Sequence, residues 1–272
     1  FKYDESKIFV EKARMDIQLL NDNISHFSKN DFLIDKNFVG KKILFVTRLS
    51  PQKQNAISLI LESIKILSKS RDDFILYIVA FSEIKVNQIF FEKNIDEINF
   101  LCGRQAIIYL KDYSSESSNI YKDFDIIIGV ARVCFEAMIN AKPVILVGEN
   151  GCSGIIDTQD KKHFYQLERT NFSSRNLKPI RNVNYIINCI NQLIDNSDLA
   201  SKYGIKNKKW VEKKMDARLL IKTHQDIYSE LYNNSQKIFP LYNVFYMIII
   251  KTVALIINYV KYLFLNIKIY FK

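Results

Sequence analysis

The chain has 272 residues, 48% apolar and 25% charged, which allows one large or two small domains with a buried core and excludes a disordered chain. Seven glycines and four prolines exclude collagen-like and low-complexity architectures. Cys102, Cys134, Cys152 and Cys189 are widely spaced, form no zinc or disulfide pattern, and read as free thiols of a reducing compartment.

In chain order, residues 1–40 are polar and mixed, with a helix expected over 5–16 and a short strand at 17–20. The first residue is Phe and no secretory leader is visible, so the chain reads as a fragment or a processed product. Ile43-Leu44-Phe45-Val46 is a continuous apolar run of strand length, as expected for a strand buried on both faces. A polar loop from Arg48 to Gln54 follows. Ile57, Ile60, Leu61, Ile64 and Leu67 then repeat at helical spacing over 55–69. The alternation continues with a strand from Phe74 to Val79, a helix at 84–93, and a strand from Ile98 to Leu101. A helical turn at 116–122 and a strand at 126–128 ending in Gly129 come next. A helix at 132–140 and a strand from Val144 to Val147 complete the pattern. Residues 182–194 and 197–233 read as helical. Alternating strands and helices predict an α/β domain, a Rossmann-like parallel sheet with helices on both faces, followed by a helical C-terminal tail.

In such sheets ligands bind where the strands end at their carboxyl side, in the connecting loops. The informative loops are therefore 48–54, 80–83, 102–105, 129–132 and 148–154. Gly129 ends a strand just before a helix, so free backbone N–H groups there offer an anion site, with Arg132 adding charge. Arg48 and Lys53, in the first such loop, are suited to a phosphate over the same edge, or are ordinary solvated cations. The glycine-rich stretch from Gly148 to Gly154 is either a close approach to a ligand or a tight turn. Glu136 sits among Phe135, Ala137 and Met138; an enclosed carboxylate needs a partner, and sugar hydroxyls are suitable donors. His26, His163 and His224 form no catalytic arrangement.

Several of these segments together resemble one family. The run from Ile43 to Lys53 is similar to the GRLxxxKG segment of family 4 retaining glycosyltransferases, which have the GT-B fold. Residues 125–148, DIIIGVARVCFEAMINAKPVILVG, look like the family's donor-site segment ending in EAMAxGKPV. The stretch from Trp210 to Tyr228 is similar to the closing helix of the family's C-terminal domain, and residues 17–27 faintly resemble its interdomain linker. The likeness covers residues 17–233 and corresponds to the C-terminal, donor-binding half.

The resemblance implies that Arg48 and Lys53 bind the diphosphate of a nucleotide sugar and offset charge on the leaving group, as the catalytic candidates. It implies that Glu136 accepts from the ribose hydroxyls, that the backbone of Ala131, Arg132 and Val133 cradles phosphate, and that the base lies near Gly103 and Arg104. Stabilising a departing diphosphate is electrostatic work, so no metal and no other cofactor is expected beyond the nucleotide sugar itself. The sequence departs from the family where Ile128 replaces a carboxylate, Ala131 a loop glycine, Thr47 the glycine before Arg48, and Gln54 the glycine after Lys53. The N-terminal domain, which supplies the acceptor site in this family, has no counterpart in the chain as given.

The charge is not spread evenly. The net +10 divides into 26 basic against 25 acidic residues over 1–200 and 13 against 4 over 201–272. An anionic partner for the basic end is one implication, a solvated helix face another. Residues 237–272 contain no Asp or Glu, and on a helical projection Lys251, Lys261, Lys268 and Lys272 lie opposite Val253, Ile256, Ile257, Val260, Leu263, Phe264, Ile267 and Phe271. That is the pattern of an amphipathic helix on an anionic membrane surface. A tilted span over 238–260 interrupted by Lys251, and a helix docked on the missing domain, compete with it.

The expected organisation is 1–40 as a remnant of the N-terminal domain and linker, 41–233 as a nucleotide-sugar-binding domain, and 234–272 as a basic amphipathic helix. The expected function is a hexosyltransferase-type glycosyltransferase of envelope polysaccharide synthesis. It would be cytoplasmic, peripheral on the inner membrane face, and act on a glycan or lipid-linked acceptor. A non-catalytic, membrane-associated nucleotide-sugar-binding or partner-binding module is the alternative. No nucleic acid is expected, because the basic stretch 202–222 carries no recognition motif.

Overall fold

The computed structural model describes residues 34–35, 37–81, 85–110, 118–173 and 180–216, and beyond them 221, 224–230, 232–233, 248–253 and 255. The helix expected at 5–16, the strand at 17–20, His26, and most of the tail lie outside the described residues. The chain divides into two compact units, Phe1–Ala217 and Arg218–Lys272. This division falls within the stretch read as one domain from 41 to 233.

The first unit is built on strands β1 (Lys41–Arg48), β2 (Phe74–Phe81), β3 (Ile107–Tyr109), β4 (Ile126–Gly129), β5 (Val144–Gly148) and β6 (Gly151–Ile155). Its helices are α1 (Gln54–Leu67), α2 (Lys85–Cys102), α3 (Arg132–Ile139), α4 (Lys161–Arg169), α5 (Val183–Asp195) and α6 (Ser197–Lys214). The six strands form one sheet in the order β3-β2-β1-β4-β5-β6. The first five are parallel, and β6 returns antiparallel beside β5. This is the α/β, Rossmann-like architecture that the alternating pattern predicts.

Strand periodicity builds two cores. Ile43, Phe45, Leu76, Ile78, Ile126, Ile128, Ile145 and Val147 face one side, where α1, α2 and α5 cover them. Leu44, Tyr77, Val79, Ile127, Val144 and Leu146 face the other, under α3, α4 and α6. Each fully buried side chain of this size contributes about 1.5–3 kcal/mol. Side chains cap the helices where the chain changes direction. The Asn182 carboxamide oxygen accepts from the Asn184 N–H at 2.8 Å at the start of α5. Asn196 ends α5 and its side chain accepts from the Leu199 N–H of α6 at 2.9 Å. Such a cap contributes about 1 kcal/mol.

One local expectation is corrected, and one open alternative is decided for the tight turn. The strand expected from Ile98 to Leu101 is the last part of α2. Phe91, Ile95 and Ile98 are buried, with Cys102 packed beside them, so a helical stripe runs through the apolar run and overrides it. The strand that pairs with β2 is instead Ile107–Tyr109. The glycine-rich stretch from Gly148 to Gly154 is a hairpin: Glu149 and Asn150 make the turn and Gly151–Ile155 form β6. Gly151 (φ 126°) and Gly154 (φ 90°) adopt backbone that only glycine takes without strain.

Of the second unit, residues 224–230, 232–233 and 248–253 are helical, and Ile248, Ile249, Ile250, Val253 and Leu255 are exposed. Among the described residues no helix is long and apolar enough to cross a membrane.

Candidate functional site

The carboxyl ends of β1 and β4 meet side by side, because the parallel register pairs Phe45 with Ile128. From this point the chain leaves in opposite directions. After β1 it turns onto the face covered by α1, and after β4 onto the face covered by α3. The two loops therefore diverge at a crevice, which is where doubly wound sheets bind ligands.

Arg48, the last residue of β1, is exposed. The loop that follows is fixed by the Leu49 N–H, which donates to the Phe81 carbonyl at 2.7 Å, and by one 3-10 turn over Pro51–Lys53. The Lys53 ammonium lies 3.9 Å from a Glu149 carboxylate oxygen. The Asn55 side-chain amide donates to the Glu149 carbonyl at 3.0 Å. β4 lies between β1 and β5 in the sheet, so these two contacts tie the first loop to the β5–β6 turn across the end of β4. Asn55 and Glu149 were missed by sequence reasoning, although Glu149 stands in the glycine-rich stretch that drew attention.

The start of α3 is tightly determined. Ala131 has φ 52° and ψ −118°, a conformation that costs a non-glycine residue about 1–3 kcal/mol. Its N–H donates to the Phe172 carbonyl at 2.8 Å, and the Val133 N–H to the Val130 carbonyl at 3.2 Å. Of the three amides of the expected phosphate cradle at Ala131, Arg132 and Val133, two therefore donate inside the protein. Gly129 admits no larger residue, since a Cβ there would lie 2.4 Å from a Val133 methyl.

Arg132 is the first residue of α3. Its Nε donates to Glu136 Oε1 at 2.6 Å; the arginine side chain is 77% exposed and that of the glutamate 10%. The other Glu136 oxygen accepts from the buried Tyr121 hydroxyl at 2.7 Å. The Asn140 amide donates to the Glu136 carbonyl. The enclosed carboxylate therefore finds its partners in the chain itself. Burial first, then the Glu136 charge, push the Tyr121 phenol well above its ordinary range, so it remains a donor. The bond to Glu136 likewise raises the Arg132 guanidinium. Tyr121 lies in the 3-10 segment Ser118–Asp123, which sequence reasoning read only as a turn. No local spacing marks a tyrosine fifteen residues away as a partner of Glu136.

Gly103 and Arg104 are placed elsewhere. Because α2 runs through to Cys102, the residues after it lead into β3 and lie where the parallel strands begin. Gly103 (φ 64°) ends the helix. The Arg104 guanidinium donates to the carbonyls of Phe74 (2.9 Å) and Arg71 (3.2 Å) and to the Ser68 hydroxyl (3.3 Å), and stacks over the Phe74 ring. Phe74 begins β2, so Gly103 and Arg104 stand at the edge opposite Arg48, Lys53 and Arg132. The structure thus does not bring this expected base-site pair together with the other candidate site residues.

All four cysteines are free. Among the described residues no group of three or more His, Cys, Asp or Glu side chains is placed to hold a metal ion. A shallow cleft of about 360 Å³ opens between the later halves of α1 and α2, lined by Leu61, Glu62, Lys65, Asn94 and Glu97, away from the carboxyl ends of the strands.

No family model matches the sequence, and no curated protein matches it. Solved structures share the fold. The C-terminal domain of a glycosyl transferase group 1 family protein (LpcC) from Francisella tularensis is 15% identical; the match covers 74% of this chain and 97% of that one, with a TM-score of 0.51. A glycosyltransferase from Rickettsia africae is 18% identical over 85% of this chain and 59% of that one, at 0.59. Anabaena HepE, solved with UDP and glucose, is 14% identical over 79% and 55%, at 0.53. The chain thus spans little more than half the length of the last two. At these identities the likeness establishes the fold: the Rossmann-like domain found at the C-terminal side of GT-B proteins.

Proposed function

We propose that this domain binds a nucleotide sugar at the β1–β4 crevice and forms the donor-binding half of a glycosyltransferase. One observation carries the reading: the topology brings Arg48, Lys53 and the start of α3 with Arg132 to one sheet edge, at the point where the chain diverges to opposite faces. Three cations stand there, two of them beside carboxylates (Lys53 by Glu149, Arg132 by Glu136), and side chains of these types suit the negative phosphates of a nucleoside diphosphate. In sugar transfer the bond between the anomeric carbon and the diphosphate breaks, and negative charge grows on the departing oxygen. Arg48 and Lys53, set around that oxygen, would lower the barrier by electrostatic stabilisation. The structural likeness to glycosyltransferases, one of them holding UDP and glucose, supports the same class of ligand. The resemblance to family 4 enzymes adds a hexose donor, retention of configuration and a glycan or lipid-linked acceptor of envelope polysaccharide. The basic tail adds an anionic membrane surface on the cytoplasmic side.

Calorimetric titration of the whole chain with UDP and GDP tests the donor site. Micromolar to millimolar binding of at least one is expected, weakened about tenfold by Lys53→Ala. Affinity unchanged in both Arg48→Ala and Lys53→Ala sinks the assignment. A second reading, a donor-binding module without transfer activity, is favoured by Ile128. It is fully buried in β4, where the family carries a carboxylate. Binding of nucleoside diphosphate without hydrolysis or transfer of any sugar nucleotide would select it.

A further inference from the structure

We infer that Glu136 serves this site as a positioning residue: it holds the Arg132 guanidinium by Nε so that Nη1 and Nη2 are presented to the diphosphate, and it does not itself take the ribose. The inference rests on the donor-site reading above and adds the group that engages the anion. Three observations lead to it.

The first is how Glu136 is occupied. One oxygen receives Arg132 Nε at 2.6 Å and the other the Tyr121 hydroxyl at 2.7 Å, inside a carboxylate side chain that is nearly closed to solvent. Little of it is left to face a ligand. The second is how Arg132 is held. A surface arginine at this exposure normally samples many rotamers. This one is anchored through Nε to a buried acceptor whose own position is set by Tyr121. The two terminal nitrogens make no hydrogen bond with the described residues. That leaves a planar pair of donors of the kind that engages phosphate oxygens in bidentate fashion.

The third is where the arginine stands. It is the first residue of α3, and the first turn carries no acidic residue. A cation there opposes the helix dipole, and a fold concerned only with stability would place an acid at that position. The strained Ala131 just before it, locked by its N–H to the Phe172 carbonyl, fixes the path of the backbone on which Arg132 stands. Local strain, a cation on the positive end of a helix, and a buried carboxylate that tethers it all have the same beneficiary: an anion bound in front of α3.

The test separates the two roles with two probes. Inorganic pyrophosphate reports on the diphosphate contacts alone, and UDP adds the ribose and base. On the full chain, Arg132→Ala should weaken both probes about tenfold, the loss of one charge-assisted bidentate contact. Arg132→Lys should recover only part of that, since an ammonium keeps the charge and loses the fork. Glu136→Gln and Tyr121→Phe should weaken both probes about two- to fivefold, and Glu136→Gln should add nothing in an Arg132→Ala background. Thermal melts confirm that each variant is folded. The inference is overturned if Glu136→Gln weakens UDP and leaves pyrophosphate untouched, which is the signature of a ribose contact. It is also overturned if Arg132→Ala changes neither probe while Lys53→Ala weakens both, in which case the donor-site reading stands without it. If the wild-type chain binds neither pyrophosphate nor a nucleoside diphosphate, both fall together.

Discussion

The two edges of the sheet use charge in opposite ways. Where the parallel strands begin, nearly every polar group is consumed. Arg71 donates to both Asp73 oxygens (2.7 and 2.8 Å), to Asn191 (2.8 Å) and to Asp195 (2.9 Å). Asp125 accepts from the Lys42 N–H at 2.8 Å, and both terminal nitrogens of Arg104 donate to carbonyls and a hydroxyl, its buried Nε being left without a hydrogen bond. Where the strands end, Arg48 and Arg132 are exposed and Ala131 holds a strained conformation. One edge is finished as structure, and the other keeps its charge accessible. An arginine's role in this fold thus follows from the edge at which it stands.

The sharpest way to break this contrast is at the closed edge. Gly204 of α6 lies against the turn between α3 and β5, where a Cβ would come 1.9 Å from the Ala141 carbonyl oxygen. Backbone cannot yield cheaply, so Gly204→Ala should cost about 3 kcal/mol in urea unfolding, despite alanine's better helix propensity. A cost below about 1 kcal/mol would show that α6 does not sit so close. Next in size, Arg104→Ala should cost about 2 kcal/mol, because it leaves the Phe74 and Arg71 carbonyls short of a donor. It should leave pyrophosphate affinity unchanged. A large loss of binding in that variant would return Arg104 to the ligand site.

At the open edge, Arg132→Ala should cost about 1–2 kcal/mol, because it leaves the buried Glu136 carboxylate without its charged partner, and Arg48→Ala, an exposed side chain, should change unfolding free energy by less than about 0.5 kcal/mol. A stability loss above about 1 kcal/mol in Arg48→Ala would mean that this cation is structural after all. A comparably small effect is a pH dependence. The bond from Arg71 holds the Asp73 carboxyl below its ordinary value. A folded-state value below the unfolded one stabilises the protein above the unfolded value, about 3.9, and the contribution fades as pH falls through the folded value. The Asp73 side chain is half exposed, so solvent screening keeps this below about 1 kcal/mol. Asp73→Asn should flatten the stability profile between about pH 5 and pH 2 by that amount. A wild-type profile already flat there would discount the pair.

The frame of the fold was legible because its signals are local. Ile43-Leu44-Phe45-Val46 is apolar on both faces, and the stripe from Ile57 to Leu67 has one period. The first major misreading lay at 98–101, where a short apolar run fits a strand as well as it fits the end of a helix. That ambiguity carried Gly103 and Arg104 to the wrong edge, since a loop's side of the sheet depends on whether a strand or a helix precedes it. The Arg48–Lys53 loop and the Gly129–Arg132 turn were placed at the correct edge for the same reason in reverse. The partners of Glu136 were beyond reach. Arg132 stands four residues away on the same helix, but Tyr121 meets it only through tertiary packing.

β1 is a single wall shared by two interiors. Ile43 and Phe45 belong to one, and Leu44 between them to the other. An insertion or deletion of one residue anywhere in 43–45 would transpose the two interiors together, and would carry Arg48 round to the wrong side of the strand in the same stroke. A change of length inside β1 is therefore not tolerable, and the spacing from Lys41 to Arg48 is as firmly constrained as the identity of the residues themselves.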